Sequence, residues 1–183
     1  MRKAIQLLLA GLFVVGVSEG ALAEETICTG KIGSTTVDNL TVPDGASCRL
    51  KGTTVEGTVK VGNGARLKAR DISVIGNVQA EGAALVRIRS SSINQSVQLV
   101  QGGKARVTRS TVDGNILYDS NSGPSKIRRN TVGDSIQVFQ NTGGVLILRN
   151  TVDGNLQCKE NSPAPTGGNN VVQGVKEDQC ASL

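Results

Sequence analysis

The chain has 183 residues, with 20 Lys and Arg against 15 Asp and Glu, no histidine and a net charge of +5. With no Trp, two Phe and one Tyr, it is too poor in large rings for a core built on aromatic anchors or for a platform that stacks nucleic-acid bases. The lack of histidine also excludes imidazole zinc sites and histidine-dependent catalytic triads.

Residues 1–23 read as a signal peptide. Arg2 and Lys3 form a basic start, Ala4 to Val17 is largely apolar, and Ala21-Leu22-Ala23 supplies small residues for cleavage before Glu24. The apolar run is short for a membrane span and no second one follows, so no transmembrane segment is expected in the mature chain. Cys28 lies too far from the cleavage site for lipoprotein attachment. The expectation is a bacterial secreted or periplasmic protein whose single domain covers 24–183, with 18 basic against 14 acidic residues and a net charge of +4.

From Val37 onward the chain repeats. Val37, Val55, Val74, Ile93, Val112, Val132, Val152 and Val172 recur at intervals of 18 to 20 residues. The clearest copies run from Ser110 to Ile116, Asn130 to Ile136 and Asn150 to Leu156. A fixed period this short, rich in β-branched residues, predicts stacked β coils rather than helical repeats.

Two strands per coil follow from the alternation around each anchor. Four and six residues after it stand apolar columns, Val59 to Leu156 and Val61 to Cys158, separated by an outward column containing Lys60, Gln79, Gln98, Leu117, Gln137 and Gln157. Five and seven residues before it stand Leu50, Ala69, Ile88, Val107, Ile127 and Ile147, then Cys48, Leu67, Val86, Ala105, Ser125 and Val145. Turns separate the strands, and Gly57, Gly76, Gly114 and Gly154 are predicted to adopt positive φ there. Thr53, Ser91, Ser110, Asn130, Asn150 and Asn170 form a small polar column suited to hydrogen bonding between coils. The predicted fold is all-β: a single-domain parallel β-helix of about seven to eight coils, right-handed because the drifting period departs from the hexapeptide rhythm of left-handed ones. Residues 159–183, with Pro163 and Pro165, are expected to form a C-terminal cap.

The four cysteines pair by the same logic. Cys28 and Cys48 are 20 residues apart, Cys158 and Cys180 are 22 apart, and each separation is about one coil. Neighbouring coils lie about 4.8 Å apart, within disulfide range, whereas pairing across the ends would span roughly 29 Å. Cys28–Cys48 and Cys158–Cys180 should staple the two ends, which argues for a discrete monomer rather than a filament.

The Asn/Ser-Thr-Val-Asp-Gly-Asn repeats over residues 28–180 resemble those of secreted right-handed parallel β-helix proteins, the broad pectate-lyase-like superfamily that includes sugar-binding and sugar-cleaving members. The resemblance implies a coil and no particular activity.

The outward residues of the second strand are the candidate ligand contacts. Arg49, Lys68, Arg87, Arg106 and Lys126 make one column; Lys51, Arg70, Arg89 and Arg128, interrupted by Thr108, make another; Arg109, Arg129 and Arg149 sit at the edge. Two readings stand together: a track for an anionic polysaccharide or envelope component, or a face kept soluble by Lys and Arg. Export and the scarcity of rings argue against nucleic acid. The catalytic alternative is a polysaccharide lyase or glycoside hydrolase using turn carboxylates Asp113, Asp134 and Asp153. Asp in an Asp-Gly turn more often serves turn geometry, and the chain lacks long loops to wall a cleft. No metal or cofactor is expected. The reading is a non-catalytic binding or structural module of the cell envelope.

Overall fold

The computed structural model describes residues 24–183; the expected signal peptide, 1–23, lies outside the described residues. The chain winds as a parallel β-solenoid of three sheets. The first sheet holds nine strands: Glu25–Ile27, Asn39–Val42, Val59–Val61, Val78–Glu81, Val97–Val100, Ile116–Asp119, Ile136–Phe139, Leu156–Lys159 and Lys176–Asp178. The second holds eight: Lys31–Ile32, Ser47–Lys51, Arg66–Arg70, Leu85–Arg89, Lys104–Thr108, Ser125–Arg128, Val145–Leu148 and Thr166–Gly168. The third also holds eight, all of two residues, from Thr36–Val37 through Thr111–Val112 to Val171–Val172. Every strand pairs in parallel with its counterpart one coil away, which requires the chain to travel right round the solenoid between partners.

The predicted inward columns form one continuous core. Val55, Val74, Ile93, Val112, Val132 and Val152 are buried from the third sheet; Val59, Val78, Val97, Ile116, Ile136 and Leu156 from the first; Leu50, Ala69, Ile88, Val107, Ile127 and Ile147 from the second. Each buried Val, Ile or Leu contributes roughly 1.5–3 kcal/mol. Tyr118 is wholly buried and donates its hydroxyl hydrogen to the Lys126 carbonyl at 3.3 Å. Burial pushes its phenol far above the ordinary range.

Both cysteine pairings form as the spacing requires, with Cα–Cα separations of 5.5 Å for Cys28–Cys48 and 5.2 Å for Cys158–Cys180. Segment 159–183 continues the winding through Thr166–Gly168, Val171–Val172 and Lys176–Asp178 before Cys180 and Leu183 bury at its end.

Two features depart from the sequence reading. Each coil has three strands rather than two, because the anchors form strands of their own, two residues long and too short to show alternation. The glycines after the anchors do not take positive φ. That conformation belongs to the corner three residues before each anchor from Val55 on, occupied by Gly52, Asp71, Ser90, Arg109, Arg129, Arg149 and Asn169, and to a second corner with Gln101, Ser120, Gln140 and Glu160. Glycine after the anchor serves close approach instead: a Cβ on Gly76 would meet the Gly57 carbonyl oxygen at 2.5 Å, and one on Gly154 would meet Ser135 Oγ at 2.6 Å. The loop order Asp-Gly-Asn suggested a dihedral requirement; stacking one corner on the next supplies a steric one.

Two inner corners carry buried polar ladders. The predicted column through Ser110, Asn130, Asn150 and Asn170 bonds coil to coil, with Asn130 N–H and Nδ2 both donating to Asn150 Oδ1 at 3.0 and 3.1 Å. A second ladder, Asn121, Asn141 and Asn161, runs along the corner between the first and second sheets and ends on Gln179. The sequence reading lacks this ladder, whose members recur at the 20-residue spacing of their coils.

Candidate anion-binding wall

Alternation on the second sheet decides which side chains reach solvent. Leu50, Ala69, Ile88, Val107 and Ile127 turn inward, so the residues on either side of each must turn out. Strand register then stacks them. Arg49 pairs with Lys68, Lys68 with Arg87, Arg87 with Arg106, and Arg106 with Lys126. Lys51, Arg70, Arg89, Thr108 and Arg128 align in the same way. All nine basic residues singled out in the sequence thus occupy two adjacent columns of one wall.

The structure extends the wall beyond those nine. Lys31 pairs with Arg49 and heads the first column. Its strand has only two residues, too few for alternation to mark it. Arg66 and Lys104 begin the strands that carry Lys68 and Arg106 and lie exposed beside them. Leu146 and Leu148 follow Lys126 and Arg128 in register and end the charged stretch. From Lys31 to Lys126 the first column spans five inter-strand steps, roughly 24 Å.

Arg109, Arg129 and Arg149 line the wall's edge at φ values of 55°, 56° and 56°. This left-handed conformation costs a non-glycine residue roughly 1–2 kcal/mol. It directs each backbone N–H to the carbonyl of the next coil: Arg109 to Arg128, Arg129 to Leu148 and Arg149 to Gly168, all at 3.0 Å. Fixed this way, the three exposed side chains stand one coil apart beside the columns.

The wall is almost free of counter-charge. Among the described residues the one ion pair is Arg70 Nε with Asp71 at 3.0 Å, and both partners are largely exposed. Unit charges 4.8 Å apart in water repel by about 0.9 kcal/mol, less at physiological salt. Nε of Arg106 and Nε of Arg128 are shielded from solvent and have no hydrogen-bond partner. Around them lies an open depression of about 310 Å³, lined by Arg87, Arg89, Arg106, Thr108, Lys126 and Arg128 with the edge residues Arg109 and Arg129. A smaller one of about 210 Å³, between Lys31, Arg49, Arg66 and Lys68, lies at the N-terminal end. Guanidinium groups so arranged present forked donors suited to carboxylate, sulfate or phosphate oxygens.

The outer face of the first sheet behaves differently. Gln137 Nε2 donates to Gln157 Oε1 at 3.1 Å, and Gln157 Nε2 donates to Glu177 Oε2 at 3.0 Å, so the downstream end of that column bonds to itself.

The candidate carboxylates lie across the third sheet from the arginine edge. Register places Asp113, Gly133 and Asp153 in one column, two coils or roughly 9.6 Å separating the acids. Asp153 accepts from Gln173 Nε2 at 3.1 Å; Asp134 accepts from Asn115 Nδ2 at 3.0 Å and from Ser135 Oγ at 3.2 Å. These contacts tie Asp134 and Asp153 to turn structure, Asp113 makes no side-chain hydrogen bond among the described residues, and the basic depression is lined by other residues. Among the described residues no group of three or more acids or cysteines is placed to hold a metal ion, and no helix is long and apolar enough to cross a membrane. Comparison with protein-family models, curated proteins and solved structures gave no match, so the chemistry of the wall rests on its own residues.

Proposed function

We propose that this protein is an exported, non-catalytic binding module of the bacterial envelope or its surroundings, holding an anionic polysaccharide along the basic wall. One observation carries the reading. Two in-register columns of cations, flanked by a third of arginines, share a single acidic partner. A wall serving solubility alone is better built with charges of both signs, because like charges at strand spacing repel. A row of cations at a fixed interval instead matches a polymer that repeats its negative charge. The predicted export signal and the two disulfides fit an oxidising compartment where such polymers occur. The pectate-lyase-like resemblance adds that carbohydrate is a common ligand of solenoids of this kind.

The test is an array of envelope and extracellular glycans probed at two salt concentrations, with heparin retention as a quantitative follow-up. Wild-type protein should bind acidic glycans in a salt-sensitive way. Combined charge reversal of Arg87, Arg89, Arg106 and Arg128 to Glu should abolish retention. Retention that survives the reversal would overturn the reading.

A further inference from the structure

Within the wall one position breaks the pattern. The column Lys51, Arg70, Arg89, Thr108, Arg128 has a short hydroxyl side chain where its register neighbours are long cations. The backbones of Arg89 and Arg128 therefore stand about 9.6 Å apart, two strand steps, with the short Thr108 between them. Arg106 stands beside it on the same strand, and Arg109 follows directly in the chain. A depression of about 310 Å³ has Thr108 and both flanking arginines in its lining. Its volume is near the lower bound of small-molecule pockets, enough for one charged sugar unit. Arg106 and Arg128, whose shielded Nε atoms lack acceptors, are both among the lining residues.

We infer that the Thr108 notch is a subsite for a tetrahedral oxyanion ester, sulfate or phosphate, carried on the polysaccharide; the inference rests on the wall reading and makes it more specific. The chemistry follows from donor count. A carboxylate is planar and is satisfied by one guanidinium fork. Here several guanidinium groups, an ammonium and a hydroxyl surround one gap with no carboxylate among them, a donor set matched to a group with three peripheral oxygens and up to two charges. A long side chain at position 108 would occupy the space such a group needs.

Two substitutions separate a notch from a simple field of charge. Thr108→Lys fills the gap and adds one positive charge. Leu148→Lys adds the same charge to the same column one coil beyond Arg128 and leaves the gap open. Binding of the disulfide-bonded protein is measured by calorimetry against three probes of equal length: a heparin-derived octasaccharide, a phosphorylated oligomannoside and an oligogalacturonate bearing carboxylates alone. Thr108→Lys should bind the ester-bearing probe about tenfold more weakly than wild type, the factor expected from losing one charge-assisted hydrogen bond, while Leu148→Lys binds it as well or better. Oligogalacturonate should bind Thr108→Lys at least as tightly as wild type. Which ester probe shows the loss tells sulfate from phosphate. Thr108→Val, which keeps the shape and removes the hydroxyl, should lose ester affinity in the same direction and serves if the lysine variant does not fold. A Thr108→Lys protein that matches Leu148→Lys on both ester probes overturns the notch and leaves the wall standing. Wild-type protein that binds none of the three probes overturns both.

Discussion

The upstream and downstream halves of the solenoid use the same three-sheet cross-section for different ends. As far as Val112 the anchors are 18 to 19 residues apart; beyond it they are 20 apart. Register locates the change. Val100 pairs with Asp119, a step of 19, whereas Arg106 pairs with Lys126, a step of 20, so the extra residue enters the corner between the first and second sheets. That corner then holds the Asn121, Asn141 and Asn161 ladder, and the opposite inner corner changes from Thr53, Ile72, Ser91 and Ser110 to Asn130, Asn150 and Asn170. Upstream, the outer wall is basic with one ion pair, and its columns run one coil past the change, to Lys126 and Arg128, before passing to Leu146 and Leu148. Interior polar bonding is concentrated in one half and open surface charge in the other. Since coils touch only their neighbours, the two stretches can differ in interior and in surface without one dictating the other.

Removing a ladder residue from each half would test this contrast most strongly. Asn150 accepts two hydrogen bonds from Asn130 and donates to Ile127 O at 3.1 Å and Asn170 Oδ1 at 2.9 Å. Asn150→Ala leaves several buried groups unpaired and should cost about 4 kcal/mol, on the order of a 10 °C fall in Tm. Ser91 accepts from Ile72 N and donates to Arg89 O; Ser91→Ala should cost only about 1–2 kcal/mol. Equal losses in thermal unfolding would erase the distinction between the halves.

A smaller effect sits at their junction. Tyr118→Phe removes the bond to the Lys126 carbonyl beneath the wall and should cost about 1 kcal/mol at neutral pH. The phenol is held neutral by burial in the folded chain, so below its unfolded pKa of about 10 protonation is the same in both states and stability is unaffected. Above that pH the unfolded state loses the proton first, and stability should fall by about 1.4 kcal/mol per pH unit. Denaturant titrations across pH 9–11 should show this slope in wild type and lose the Tyr118 contribution in the variant.

The smallest effect has the opposite sign. Arg87 stands between Lys68 and Arg106. Arg87→Gln should stabilise the chain by up to about 1 kcal/mol at low ionic strength, and the gain should shrink as salt rises. A salt-independent loss of stability would show instead that the arginine stem packs on the wall and that repulsion there is negligible.

The core was legible from sequence because Val, Ile and Leu recur at fixed offsets on strands long enough to alternate. The end disulfides were legible because a one-period separation means adjacency. Short-range steric facts were not. Nothing in a lone Thr-Val pair distinguishes a two-residue strand from a corner, and the reason for Gly76 appears only once Gly57 lies beneath it. The columns of the basic wall could be read from alternation, but its extension to Lys31 required the register of the first coil. The depression at Thr108 needed the third dimension, since in sequence that threonine looks merely like an interruption.

The glycine corners carry a consequence for how such a molecule can change size. Because the corner at Gly76 nests directly on the one at Gly57, consecutive turns fit like stacked cups, and a whole turn can be duplicated or excised without redesigning the profile. Lengthening the rod by one repeat adds one row to each face together. The length of each face is then an integer property, set by how many copies the gene carries rather than by any single side chain.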